Sequence, residues 1–233
     1  RLYHCWKNNG HGSVNVDKAI KESCDVFFYE ISKKIGIDRI ATVAKEFGLG
    51  QTFDIPLSNQ KSGIIPSKKW KKENLGESWY PGETAIGQGF VLTNPLQLVN
   101  MTSIIASEGE IVAPKIINDG ILNKKKDLNK YKEAIKIIKK SMFKVVNEER
   151  GTAFKSRSKE TVFSGKTGTS QVRRITVAER ESDDFRKKEV EWNKRDHALF
   201  VGYMPHDEPK YAISVVIEHG GSGASTAAPI AKQ

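Results

Sequence analysis

The chain has 233 residues, 38% hydrophobic and 28% charged, with a formal net charge of +10. That length holds one large domain with a sizeable core, and the composition excludes a disordered chain. The positive balance would suit nucleic acid, an anionic membrane surface or an anionic polymer. The lysines are scattered, however, with one dense run at Lys124-Lys125-Lys126, and most read as solvated faces. No nucleic-acid module signature occurs, so nucleic acid is not an expected partner. No apolar run is long enough to span a bilayer, and no signal peptide is present.

In chain order, Asn15 or Asp17 can cap a helix over 15–35, stopped by Gly36, with Ala19, Ile20, Val26, Phe27 and Ile31 on its apolar face. Asp38 is placed to cap a second helix, with Ile40, Val43, Ala44 and Phe47 inward and Gly48 ending it. Residues 49–89 are rich in Gly, Pro and Ser and read as irregular, a long loop region of the kind that often carries function. Thr93 or Asn94 before Pro95 starts a helix that ends by Gly109. Residues 130–147 form an amphipathic pattern, Ile135, Ile138, Met142 and Val145 on one face and lysines on the other. Gly151-Thr152-Ala153 leads toward a strand holding Lys166. Residues 197–204 and 211–218 read as two strands of an antiparallel hairpin, turning at 205–209. Residues 173–196 are heavily charged and read as a mobile excursion off the sheet. Residues 224–233 start a final helix.

The chemistry gathers at Phe163-Ser164-Gly165-Lys166-Thr167-Gly168-Thr169-Ser170. A Lys-Thr-Gly box is one signature of penicillin-recognising serine transferases and hydrolases. Lysine supplies positive charge and can pass protons between hydroxyls. Gly168 has no side chain, so a substrate backbone can lie against the strand. Thr167 and Thr169 offer hydroxyls to a carboxylate. Taken alone, the box equally describes a glycine-broken strand edge. Ser23-Cys24-Asp25 sits inside an apolar helical run and resembles the Ser-x-Asn box of the same superfamily, with Asp in place of Asn.

The surrounding residues extend the likeness. Cys5-Trp6-Lys7, Gly10-His11-Gly12, Ala19-Ile20 and Glu22-Ser23-Cys24-Asp25-Val26-Phe27-Phe28-Tyr29 come first. Gly36-Ile37-Asp38-Arg39-Ile40, Trp79-Tyr80-Pro81-Gly82-Glu83-Thr84, Ala85-Ile86-Gly87-Gln88-Gly89 and Pro95-Leu96-Gln97 follow, and Gly165 to Gln171 with Arg173-Arg174 close the set. In this order they resemble class B penicillin-binding proteins of the rod-elongation type over nearly the whole chain. One departure is that Thr84 abuts Ala85, where the family carries a few more residues; a shorter loop beside the cleft and a stretch missing from the sequence as given would look identical.

The resemblance implies an α/β (α+β) fold, the penicillin-binding transpeptidase or serine β-lactamase-like architecture. That is a five-stranded antiparallel sheet flanked by helices, with three of the strands in this chain. It implies one transpeptidase domain over 1–233, truncated at its N-terminal side. A membrane anchor, a non-catalytic region and the Ser-x-x-Lys nucleophile segment would lie upstream. Ser141 to Lys144 spells that box but follows the second box, in the wrong order, and reads as a solvated helix face. The implied activity is D,D-transpeptidation of D-Ala-D-Ala stem peptides through a serine ester, with β-lactams as mimics of the donor. The expected partners are peptidoglycan stem peptides, β-lactams and a membrane glycosyltransferase of the rod-shape complex. The expected location is the inner membrane, catalytic domain periplasmic.

Carried over residue by residue, Ser23 would relay a proton to the leaving amine and Lys166 would hold positive charge across from it. Thr167 and Thr169 would bind the donor carboxylate. The Thr169 N–H would form half of an oxyanion hole. An ionised Asp25 only accepts hydrogen bonds where Asn would also donate, so it either contacts substrate amides or caps a helix. A β-lactam hydrolase or sensor of the same fold, and a non-catalytic basic interaction module, are the alternatives. No cofactor is needed for catalysis. Cys5, His11 and Cys24 are nonetheless a zinc-ligand set flanking the second box, and some relatives of this type resemble it in binding a metal there. A free buried cysteine pair and a Cys5–Cys24 disulfide are the other readings.

Overall fold

The computed structural model describes residues 3–76, 81–117, 126–173 and 190–233. The helices are α1 (Val16–Lys21), α2 (Asp25–Ile35), α3 (Ile37–Glu46), α4 (Lys68–Asn74), α5 (Pro95–Ala106), α6 (Lys132–Asn147) and α7 (Ala228–Lys232). The strands are β1 (Glu110–Ile111), β2 (Lys126–Asp127), β3 (Ser164–Ser170), β4 (His197–Met204) and β5 (Tyr211–Ile217). Trp79, Tyr80, Lys124, Lys125, Arg174 and most of the charged segment 173–196 lie outside the described residues.

Strands β3, β4 and β5 form one antiparallel sheet in that order, and β1 pairs with β2 in a separate two-residue ladder. The described residues thus carry three strands of the main sheet, the three placed from sequence. Gly165 faces Gly202 across β3 and β4. The room they leave is filled by the Phe200 ring: a Cβ on Gly165 would stand 2.2 Å from its Cζ. Phe200 joins Val145, Val146, Phe163, Ala198 and Ala227 in one buried cluster. On the other side Ile104, Ile135, Met142 and Tyr203 form a second. The sheet is therefore packed on two faces, as a layered α/β domain requires. Among the described residues no helix is long and apolar enough to cross a membrane.

Several expectations are corrected. The run over 15–35 is two helices, broken at Ser23, where the resemblance to the family implies a turn and the apolar pattern alone shows none. Asn15 caps α1 by accepting from the Lys18 N–H at 2.9 Å. Asp17 instead accepts from Ser141 Oγ at 2.9 Å and Lys144 Nζ at 2.5 Å. Ser141 is fully buried, so Ser141 and Lys144 tie α6 to α1 rather than forming a solvated face. Asp38 lies inside the first turn of α3, after Gly36, and its carboxylate accepts from the Lys68 N–H at 2.8 Å, helping to cap α4. That helix interrupts the stretch read as irregular; Ser67 accepts from the Trp70 N–H at 3.1 Å to start it. Asn94 and Pro95 do start α5, the Asn94 carbonyl oxygen of the side chain accepting from the Gln97 N–H at 3.0 Å. The final helix opens with a π turn over Gly223–Ala227.

Candidate functional site

The site begins with the break between α1 and α2. Ser23 has φ +53°, a left-handed conformation that costs a non-glycine residue on the order of 1 kcal/mol and persists only where surroundings impose it. Trp6 imposes it. Its indole Nε1–H donates to the Glu22 carbonyl at 3.1 Å and the Ser23 carbonyl at 2.8 Å. Its backbone N–H donates to Asp25 Oδ2 at 3.0 Å. The turn is thus stapled on one side by a residue seventeen positions upstream, and Ser23 is aimed at β3.

Lys166 meets it there. Its Nζ donates to Ser23 Oγ at 2.5 Å and to the Thr167 carbonyl at 2.8 Å. Burial of the ammonium pulls the pKa of Lys166 down from 10.5 to about 8, against the attraction of Asp25. Burial also pushes the Asp25 carboxyl up, opposed by the Trp6 N–H and the Lys166 charge. Lysine donating to the serine oxygen leaves the serine O–H free to donate onward. That arrangement, with the lysine pKa lowered to about 8, can pass a proton.

The remaining residues of the box line the same strand. Thr167 Oγ1 and Thr152 Oγ1 lie 2.7 Å apart. Thr169 Oγ1 accepts from the Gly223 N–H at 3.3 Å, which leaves its own proton to donate. A Cβ on Gly168 would first meet Leu199 Cβ at 3.2 Å, on the neighbouring strand. Gln88 closes the outer side: its Nε2–H donates to the Thr169 carbonyl at 2.7 Å, and its Oε1 accepts from the Gln171 N–H at 3.2 Å.

Next to Ser23 the ligand atoms of Cys5, His11 and Cys24 all lie within 4.8 Å of one another. Cys5 Sγ is 3.4 Å from His11 Nδ1, and both cysteines are free thiols. His11 Nε2 is buried without a hydrogen-bond partner, 4.0 Å from Glu22 Oε2. Glu22 is itself buried and accepts from Arg150 Nη2 at 2.9 Å. Burial lowers the pKa of His11, which favours the neutral, ligating imidazole. Burial and the adjacent Cys5 raise the Cys24 thiol.

Ser23, Asp25 and Lys166 therefore meet in one place, with Thr167 to Thr169 continuing along β3 and the cysteine–histidine cluster behind the turn. Sequence reasoning noticed Trp6, Gln88 and Thr152 only inside longer strings and gave none of them a role. Polar side chains serving backbone atoms 81 positions away leave no local pattern; the two glycines flanking Gln88 were the available signal.

A family profile described as "Penicillin binding protein transpeptidase domain" matches residues 1–233. The chain is 34% identical over 247 residues to the peptidoglycan D,D-transpeptidase MrdA of Haemophilus influenzae, covering 100% of this chain and 37% of that protein. It is 32% identical over 252 residues to MrdA of Salmonella typhimurium, covering 100% and 39%. Among solved structures it is similar to penicillin-binding protein PBP2 of Helicobacter pylori in complex with MreC. There the TM-score is 0.85 at 33% identity, covering 98% of this chain and 41% of that one. It is also similar to PBP2 of Pseudomonas aeruginosa in complex with WCK 5153, with TM-score 0.78 at 32% identity, covering 99% and 48%. The chain spans about two fifths or less of the length of these curated relatives.

Proposed function

The chain belongs to the penicillin-binding protein transpeptidase family, and from that premise we propose that it is part of a peptidoglycan D,D-transpeptidase that cross-links D-Ala-D-Ala stem peptides. The observation that carries the reading is the Lys166–Ser23 hydrogen bond, which joins the second and third boxes of the family into one proton-passing pair. A serine of a Ser-x-x-Lys segment upstream of residue 1 gives its proton to the lysine of that segment and attacks the donor carbonyl; the C–N bond to the terminal D-Ala breaks as the ester forms, and the amine of an acceptor stem peptide then displaces the serine oxygen to make the cross-link. Ser23 donates its hydroxyl proton to the departing amine and is recharged by Lys166. Thr169 donates to the donor carboxylate, with Thr167 held beside it by Thr152. The Thr169 N–H supports the oxyanion, a contact worth roughly 3–4 kcal/mol in comparable acyl transfer. β-Lactams enter as donor mimics and stop at the ester.

A zinc ion at Cys5, His11 and Cys24 belongs to the same proposal. The donors are two thiols and a neutral imidazole, close enough to share one ion, and an otherwise orphaned histidine nitrogen lies beside Glu22, where a carboxylate would orient a ligating imidazole. The ion would supply structural cross-linking, holding the loop of Cys5 and His11 to the turn that carries Ser23. The proposal also places the domain on the periplasmic side of the inner membrane, working with a membrane glycosyltransferase of the rod-shape complex. The similar H. pylori protein is seen in complex with MreC, and another similar chain comes from a peptidoglycan synthase complex. The experiment is acylation of the full-length protein by a labelled penicillin, expected to be stoichiometric. No label on folded protein sinks the transferase reading.

A further inference from the structure

Strand β3 has β4 on one side only among the described strands, and its other edge meets the side chain of Gln88. In a strand the N–H and C=O of one residue point to the same edge, and alternate residues to opposite edges. That edge therefore presents the backbone groups of residues 167 and 169, with Gln171 just past the end of the strand. An edge of this kind is a template for an extended peptide, which binds by continuing the ladder. Here the edge is partly occupied by the chain itself. Lys166 Nζ takes the Thr167 carbonyl. The Gln88 carboxamide takes both the Thr169 carbonyl and the Gln171 N–H, the acceptor and donor that the N–H and C=O of one residue of an added strand would use. The Thr169 N–H points to the same edge, between the two.

We propose that Gln88 is a displaceable gate on β3: its carboxamide stands in for the N–H and C=O of one residue of a bound ligand and must be expelled before an amide-bearing ligand can pair with the Thr169 carbonyl. The proposal rests on the transferase reading above. The local backbone suits a moving part. Gln88 lies between Gly87 (φ +72°) and Gly89 (φ +73°), both in the left-handed region that glycine enters without penalty, and a Cβ on Gly87 would meet nothing within 4 Å. The side chain is half-buried, so it can leave without unpacking a core. The gate gives selectivity as well as delay. A ligand whose own N–H replaces the Gln88 N–H recovers the lost bond; one without such an amide leaves Gln88 in place and gains nothing from its removal.

The test uses the full-length protein and two β-lactams: benzylpenicillin, which carries an acylamino N–H beside the ring, and a carbapenem, which has none. Second-order acylation rates are measured for the wild type, Gln88→Ala and Gln88→Met, the last keeping length while removing the donor. Both variants are expected to react with benzylpenicillin about tenfold faster, the equivalent of about 1.4 kcal/mol, and with the carbapenem at the wild-type rate. A benzylpenicillin rate that falls or stays level in the variant that melts like wild type overturns the gate, as does a parallel change for both drugs. A wild type that neither drug acylates overturns the transferase reading, and the gate with it.

Discussion

Lys166 and Ser23 stand 143 positions apart in the chain and 2.5 Å apart in space, ammonium to hydroxyl. The contact joins a β-strand edge to a strained inter-helix turn, so each side depends on the other's placement.

Removing the ammonium tests the catalytic half of that relationship. In the full-length protein Lys166→Ala is expected to slow penicillin acylation at least ~100-fold, about 2.7 kcal/mol of transition-state stabilisation. Stopped-flow rates close to wild type would show that Lys166 has no part in the chemistry.

The same ammonium sets a pH dependence of stability. Its pKa is near 8 in the folded chain and 10.5 when exposed. Below about pH 8 both states are protonated and the folded state bears the whole cost of the buried charge. Between the two values the unfolded chain binds more protons, so stability rises with pH. Lys166→Met removes this dependence. Wild-type melting temperature should therefore gain on that of the variant as pH rises from about 8 toward about 10.5; a difference that is flat in pH, or that runs the other way, refutes it.

Ser23 gives an inverted glycine preference. Replacing alanine by glycine inside ordinary structure costs roughly 0.5–1 kcal/mol. At a left-handed position the order should reverse, with Ser23→Gly more stable than Ser23→Ala by about 1 kcal/mol. Both lack the hydroxyl and should be equally slow in acylation. Chemical denaturation of the two variants decides it, and an alanine variant as stable as the glycine one would mean the turn relaxes.

The metal proposal makes a chelator-dependent prediction. Since the unfolded chain has no preformed site, bound zinc adds to folding free energy. A chelator should lower the melting temperature of the full-length protein and slow its acylation, and Cys24→Ser or His11→Ala should do the same. A disulfide would respond to reductant and not to chelator. Less than ~0.1 zinc per chain in protein purified without chelator, with two titratable thiols, would end the zinc reading.

Much of this was legible in the residues. The Asn94-Pro95 start, the amphipathic period of α6 and the β4–β5 hairpin are local signals, and local forces produce them. The break at Ser23 was not, because the apolar pattern runs through it: Ala19 before and Tyr29 after are both buried, and the turn is imposed by Trp6 from outside the segment. Helix α4 hid for the opposite reason. Its sequence, Lys68-Lys69-Trp70-Lys71-Lys72-Glu73-Asn74, buries no residue, so no periodic face announces it, and its caps Ser67 and Asp38 do the work. The pairing of Lys166 with Ser23 came from the resemblance; the gating position of Gln88 needed coordinates.

The crowding around β3 also shapes how this protein can evolve. One added carbon at Gly165 would strike Phe200, at Gly202 would stand 2.7 Å from the Ser164 carbonyl, and at Gly223 would stand 2.2 Å from the Gly168 carbonyl. Backbone atoms cannot step aside as a flexible side chain can. Lineages pressed to alter ligand preference therefore have almost no mutational latitude at these three glycines, on and against the strand that carries Lys166. Variation is channelled to the rim, to positions such as Gln88 and Thr152, whose side chains reach the strand without being walled in by it.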